Sequence, residues 1–83
     1  MAKLGDLVTV EWLDACAETG WGEISNIEIK PQVVLSIGWL TANNEDAVIL
    51  VADIDPDKRM DGDCNRALII PKGMVKRIRK VEL

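Results

Sequence analysis

At 83 residues, with 48% apolar and 29% charged side chains and a net charge of −4 at pH 7, the chain has room for one modest core and is too apolar to stay disordered. It contains no histidine, which excludes Ser-His and Cys-His nucleophile pairs and imidazole metal ligands, and leaves no side chain that titrates near neutrality without a large shift. No apolar run reaches the roughly 20 residues that span a bilayer, and the start MAKLGDLV lacks a signal-peptide core with a small-residue cleavage site, so a cytosolic location is expected.

The first predicted element is a strand over Leu7 to Leu13, where Val8, Val10 and Trp12 alternate with Thr9 and Glu11. Asp14 to Pro31 reads as a long excursion, an extended arm or a single helical turn, with Trp21 between Gly20 and Gly22 and with Ile24, Ile27 and Ile29 among polar neighbours. In Gln32 to Thr41, Val33, Leu35, Ile37 and Trp39 share one face while Val34, Ser36, Gly38 and Leu40 share the other. A strand apolar on both faces is either covered on both sides or bent to serve two walls of a barrel, and the bend is easiest at Gly38. Asn43 to Asp46 is a turn signal, because Asn tolerates left-handed backbone and short polar side chains bond their own following amides.

Ala47 to Ile54 is a third, β-branched strand, followed by an acidic, turn-rich loop from Asp55 to Asn65. Ala67 to Ile70 is the fourth strand, Pro71-Lys72-Gly73 a tight or 3-10 turn, and Val75 to Val81 a charged last strand suited to a sheet edge. The expected fold is therefore all-β: one domain over residues 1–83, a five-stranded SH3-like or Sm-like small β-barrel with a long loop after the first strand and a 3-10 turn before the last. An oligonucleotide-binding barrel would call for a helix between the third and fourth strands, and no amphipathic helical segment is available for it.

Three features invite a chemical reading. Asp53, Asp55 and Asp57 alternate like calcium-loop ligands, but Lys58 stands where that loop requires Gly and Cys64 where it requires Glu, so the loop reads as solvated and no metal site is assigned. Cys16 and Cys64 have neither metal-ligand spacing nor disulfide density and read as free thiols. Lys72, Lys76, Arg77, Arg79 and Lys80 make up half of the ten basic residues, a cluster able to receive phosphate groups. The negative total charge disfavours polymeric nucleic acid.

The three tryptophans carry all the aromatic surface. Trp12 and Trp39 fall on apolar strand faces and are expected to fill the barrel interior. Trp21 has no such periodicity; between glycines it suits stacking on a base or capping a partner's apolar patch. Asp14 and Glu11 beside Trp12, with Ser36 on the next strand, could form a polar rim near such a pocket. A second element that raises the pKa of one acid is missing, so these acids do not read as a general acid-base pair.

Together, VEWLDA at Val10 to Ala15, GW at Gly20 to Trp21, SIGWL at Ser36 to Leu40 and IPKGM at Ile70 to Met74 resemble a family of short tailed-bacteriophage proteins. The resemblance spans nearly the whole chain except the acidic loop. It implies expression in the cytoplasm of an infected bacterium, and it does not imply a catalytic activity. Such proteins act by occupying something, which leads to two expectations. One is a homo-oligomer that sequesters a nucleotide-derived immune signal, with Trp21 or Trp39 stacking on a base, Lys72, Lys76 or Arg66 meeting phosphates, and Gly22, Ser36 and Asp14 also in the candidate site. The other is a protein-interaction module that blocks a host protein through a strand edge or the Trp21 loop. Oligomerisation follows from size, because one such barrel has little interior left for a cavity. No cofactor and no membrane partner are expected.

Overall fold

A computed structural model describes residues 2–15, 21–27 and 31–82. Five strands form one antiparallel sheet: β1 Leu7–Asp14, β2 Gln32–Asn43, β3 Ala47–Ile54, β4 Cys64–Pro71 and β5 Val75–Lys80, in the spatial order β4-β3-β2-β1-β5. There is no α-helix among the described residues, only 3-10 turns at Ile24–Asn26, Arg59–Asp61 and Lys72–Met74. The chain is thus all-β, and the last of these turns joins the two edge strands β4 and β5.

Alternation decides which side chains are buried. On β1, Val8 and Val10 are fully buried, and with Leu40, Val48, Leu50 and Ile70 they form one cluster against which Trp12, Val75 and Ile78 pack. Burial of each such side chain contributes about 1.5–3 kcal/mol. Val10 on β1 and Ile70 on β4 lie three strands apart in the sheet yet share this cluster, so the sheet curls around its own inner face. β4 and β5 form no ladder with each other among the described residues, and the sheet stays open there. At that opening the Lys72–Met74 turn lies against both β1 and β3. The Lys72 amide donates to the Asp46 carbonyl at 3.0 Å and its ammonium donates to Asn43 Oδ1.

The tight connection between β2 and β3 forms where Asn44 supplies an acceptor: its Oδ1 takes the amides of Asp46 and Ala47 at 2.8 and 3.0 Å. β4 starts earlier than its apolar residues suggest. Cys64 and Asn65 stay in the ladder opposite Ile54 and Asp53, and Arg66 between them and Ala67 adopts a left-handed backbone with φ 58°. A polar segment can remain in an edge strand because one of its faces and its outer edge meet water.

β2 is the longest element and is not paired evenly. It pairs with β1 from Leu7↔Trp39 to Asp14↔Gln32, and β3 meets it only from Trp39↔Val51 onward. Gly38 lies at the point of departure, where an added Cβ would sit 3.0 Å from the Val51 carbonyl oxygen and 3.1 Å from Leu50 Cβ. Beyond it β1 and β2 continue as an arm without β3, flanked on the β1 side by β5 as far as Trp12↔Val75 and two-stranded only at Leu13↔Val33 and Asp14↔Gln32. The molecule measures 55 × 24 × 24 Å with a radius of gyration of 16.0 Å, against about 12 Å for a compact chain of this length. The Ile24–Asn26 turn falls in the excursion read from the sequence; positions 16–20 and 28–30 lie outside the described residues.

Trp12 faces the core, and its indole N–H donates to Ser36 Oγ at 3.0 Å. Trp39 does not. Its register partner is Leu7, the neighbour of buried Val8, so Trp39 belongs to the outer face, half-buried, with the Arg59 guanidinium 5.2 Å from its ring centroid. Expecting Trp39 in the interior went wrong because β2 is apolar on both faces, and its alternation alone cannot say which face turns inward. Arg59 also donates to the Gly5 carbonyl at 2.7 Å, which ties the acidic loop across this end of the outer face.

Candidate ligand-binding face

The outer face of the sheet holds a shallow depression of about 250 Å³ lined by Thr9, Glu11, Leu35, Arg77 and Arg79. Two rows of the ladder build it. Leu35 lies opposite Glu11, which lies opposite Arg77; Ile37 lies opposite Thr9, which lies opposite Arg79. On β5 Ile78 turns into the core, so Arg77 and Arg79 two residues apart both turn outward. A register shift at Glu11/Trp12 leaves Lys76 as an extra residue, and its ammonium sits 3.7 Å from Glu11 Oε1.

The chemistry of this depression is two-sided. Arg77 and Arg79 offer two guanidinium forks and Thr9 a hydroxyl, the donor set that a phosphate or carboxylate accepts from. No ion pair engages either arginine among the described residues. Along the other border, Val33, Leu35 and Ile37 are 52%, 70% and 64% exposed, an apolar stripe beside a cationic one. Anion recognition at one end and a flat apolar surface at the other suits a ligand with a charged group and a ring.

The residues singled out from the sequence take separate local roles. Arg66 on β4 makes a bidentate pair with Asp53, 2.9 and 3.0 Å, and its guanidinium donates into the Asp53 carboxylate, holding that group below the ordinary carboxylate range. Lys72 anchors the turn between β4 and β5, Lys76 pairs with Glu11, and Ser36 accepts from Trp12. Asp14 lies opposite Gln32 at the far end of the β1 ladder. Trp21 is fully exposed beside exposed Gly22, and Trp39 lies under Arg59. Of the cations named for phosphate, Lys76 alone borders the depression.

Arg77 and Arg79 were visible only as part of a basic cluster. The alternation of VKRIRK around Ile78 is the signal that places both on one face. In the acidic loop, Asp55 Oδ1 accepts the amides of Asp57 and Lys58 at 2.9 and 3.4 Å, so this carboxylate caps a turn. Gly62 lets the loop close, since a Cβ there would fall 2.8 Å from Lys58 Cβ. Cys64 is an exposed free thiol, and Cys16 lies outside the described residues. No described helix is long and apolar enough to cross a membrane. Comparison with known proteins finds no matching family model, no matching curated protein and no matching solved structure.

Proposed function

We propose that this chain is a non-enzymatic, bacteriophage-encoded binding protein that works in the host cytoplasm as a homo-oligomer, sequestering a small nucleotide-derived immune signal. The observation that carries the ligand class is the juxtaposition of Arg77, Arg79 and Thr9 with the exposed apolar side chains of Leu35 and Ile37. Guanidiniums receive phosphate oxygens, and an aliphatic floor receives the face of a base or ribose. The absence of histidine supports binding without turnover. Strand order, together with the 3-10 turn ahead of β5, supports reading the curled sheet as an SH3-like or Sm-like small barrel. A net charge of −4 opposes long polyanions, so the ligand is small.

Thermal-shift and calorimetric titration against cyclic dinucleotides and ADP-ribose derivatives tests this reading. Saturation at a hundred times the dissociation constant stabilises a one-site protein by about 2.7 kcal/mol, and Arg79→Ala should weaken binding about 10-fold or more. Ligand released by heat denaturation should be recovered chemically intact. No stabilisation by any anionic nucleotide, or multiple turnover of one, would overturn the proposal. A second reading, a module that inhibits a host protein, draws on the exposed stripe of Val33, Leu35 and Ile37 and on Trp21, which are suited to an apolar protein surface.

A further inference from the structure

We infer that two copies of this chain join through the free edge of β2, strand against strand, about a two-fold axis at Leu35. The inference deepens the homo-oligomer reading above and does not depend on which ligand is bound.

The three longest edges without a neighbouring strand among the described residues are β5, β4 and β2 before Trp39, and two of them are guarded. β5 carries four cations in six residues, which repel a second copy of themselves. β4 is interrupted by left-handed Arg66 and ends in Pro71, both of which break a regular ladder. The third edge, β2 before Trp39, has no guard. From Pro31 to Asn44 the chain carries no charged side chain at all.

Among the described residues no strand pairs with the backbone groups on that edge. Leu40 donates its N–H to the Asp6 carbonyl and accepts the Gly5 N–H, at 2.8 and 2.7 Å, so its peptide groups point toward the β1 side. Alternation then turns those of Val33, Leu35 and Ile37 the opposite way, toward the open edge. An apolar, uncharged edge of this kind associates with whatever strand meets it.

The sequence around Leu35 is self-complementary, which selects a second copy as the occupant. In antiparallel pairing centred there, Leu35 meets Leu35 of its partner, and Val33 meets the partner's Ile37 in both directions. Each of these is a position where both N–H and C=O face the edge, so the three rows exchange hydrogen bonds without bringing like charges together. An isologous pairing uses the edge once and closes, where a head-to-tail pairing would propagate. The same axis sets the two depressions on one continuous face with the Leu35 pair between them.

Sedimentation or light scattering at tens of micromolar should give the mass of two chains. Leu35→Lys, at a site already exposed and with folding confirmed by circular dichroism, should raise the dimer dissociation constant at least about 100-fold, because it sets two ammonium groups face to face. Register is read by cross-linking in a Cys16→Ser, Cys64→Ser background. Leu35→Cys should oxidise to a self-linked dimer, since directly paired Cα atoms lie about 5.5 Å apart, within disulfide reach. Val33→Cys should not link to itself but should link to an Ile37→Cys chain. A single-chain mass overturns both this interface and the homo-oligomer reading. A two-chain mass that Leu35→Lys leaves intact, or that gives no Leu35→Cys self-link, overturns the interface alone.

Discussion

The two halves of β2 differ in their neighbours: β3 flanks one of them and not the other. From Trp39 to Asn43 the strand is paired with β3, and Leu40, facing inward, is 1% exposed; from Gln32 to Gly38 it is paired with β1 alone, and the outward-facing Val33, Leu35 and Ile37 stand in water. Leu40 and the three exposed residues lie on opposite faces of the strand; on the outer face itself, Trp39, with β3 beside it and Arg59 over its ring, is half-buried where Leu35 and Ile37 are exposed. The half with β3 beside it contributes Leu40 to the core, and the half without it leaves an apolar outer face exposed.

The sharpest way to break this contrast is a matched pair of truncations. Leu50→Ala removes a side chain 2% exposed in the core cluster and should cost about 2–4 kcal/mol of folding stability. Leu35→Ala, at 70% exposure, should cost less than about 0.5 kcal/mol when urea unfolding is followed in dilute solution. Equal losses at the two sites would mean that the arm is as integral to folding as the core. Next in size is the junction itself. Gly38→Val forces a side chain against the Val51 carbonyl and Leu50 Cβ, and should lower stability by about 1–3 kcal/mol through strain where β2 leaves β3. An unchanged unfolding midpoint would show that the two halves are not hinged there.

This contrast also explains what the sequence made legible. The strands of β1 and β3, the turn at Asn43 to Asp46 and the 3-10 turn at Lys72 each carry a local signal, because alternation and turn chemistry are properties of neighbours along the chain. The face of Trp39 did not, since Val33, Leu35, Ile37 and Trp39 alternate with an equally apolar Leu40 and Val34 and only pairing breaks the tie. The start of β4 was hidden because Cys64 and Asn65 have loop composition and are held in the ladder by Ile54 and Asp53 across from them. The candidate site was half visible: the cations of β5 were evident, but choosing Arg77 and Arg79 over Lys72 and Lys76 requires knowing that Ile78 faces the core and that Lys76 sits in a bulge. Arg66 looked available for phosphate, and its partner Asp53 lies 13 positions away across a hairpin.

The smallest expected effect concerns that pair, and it sharpens the contrast from the cationic side. Hydrogen bonds from the Arg66 guanidinium, then its charge, lower the pKa of the Asp53 carboxyl in the folded state. A carboxylate held below its unfolded value contributes stability at pH values above the ordinary carboxylate range, and that contribution is lost as pH falls through the lowered folded pKa. Both side chains are widely exposed, 70% for Arg66 and 48% for Asp53, so solvent and salt screen the pair and its share of stability is small. Arg66→Ala should return Asp53 upward toward an ordinary carboxylate, read by its side-chain NMR signal during acid titration, with little movement of the unfolding midpoint at neutral pH. It should also leave nucleotide affinity unchanged, whereas Arg79→Ala should reduce it. If the Asp53 signal titrates identically with and without Arg66, the guanidinium is not committed to that carboxylate. Arg66 would then stand as an unpaired cation on the β4 edge.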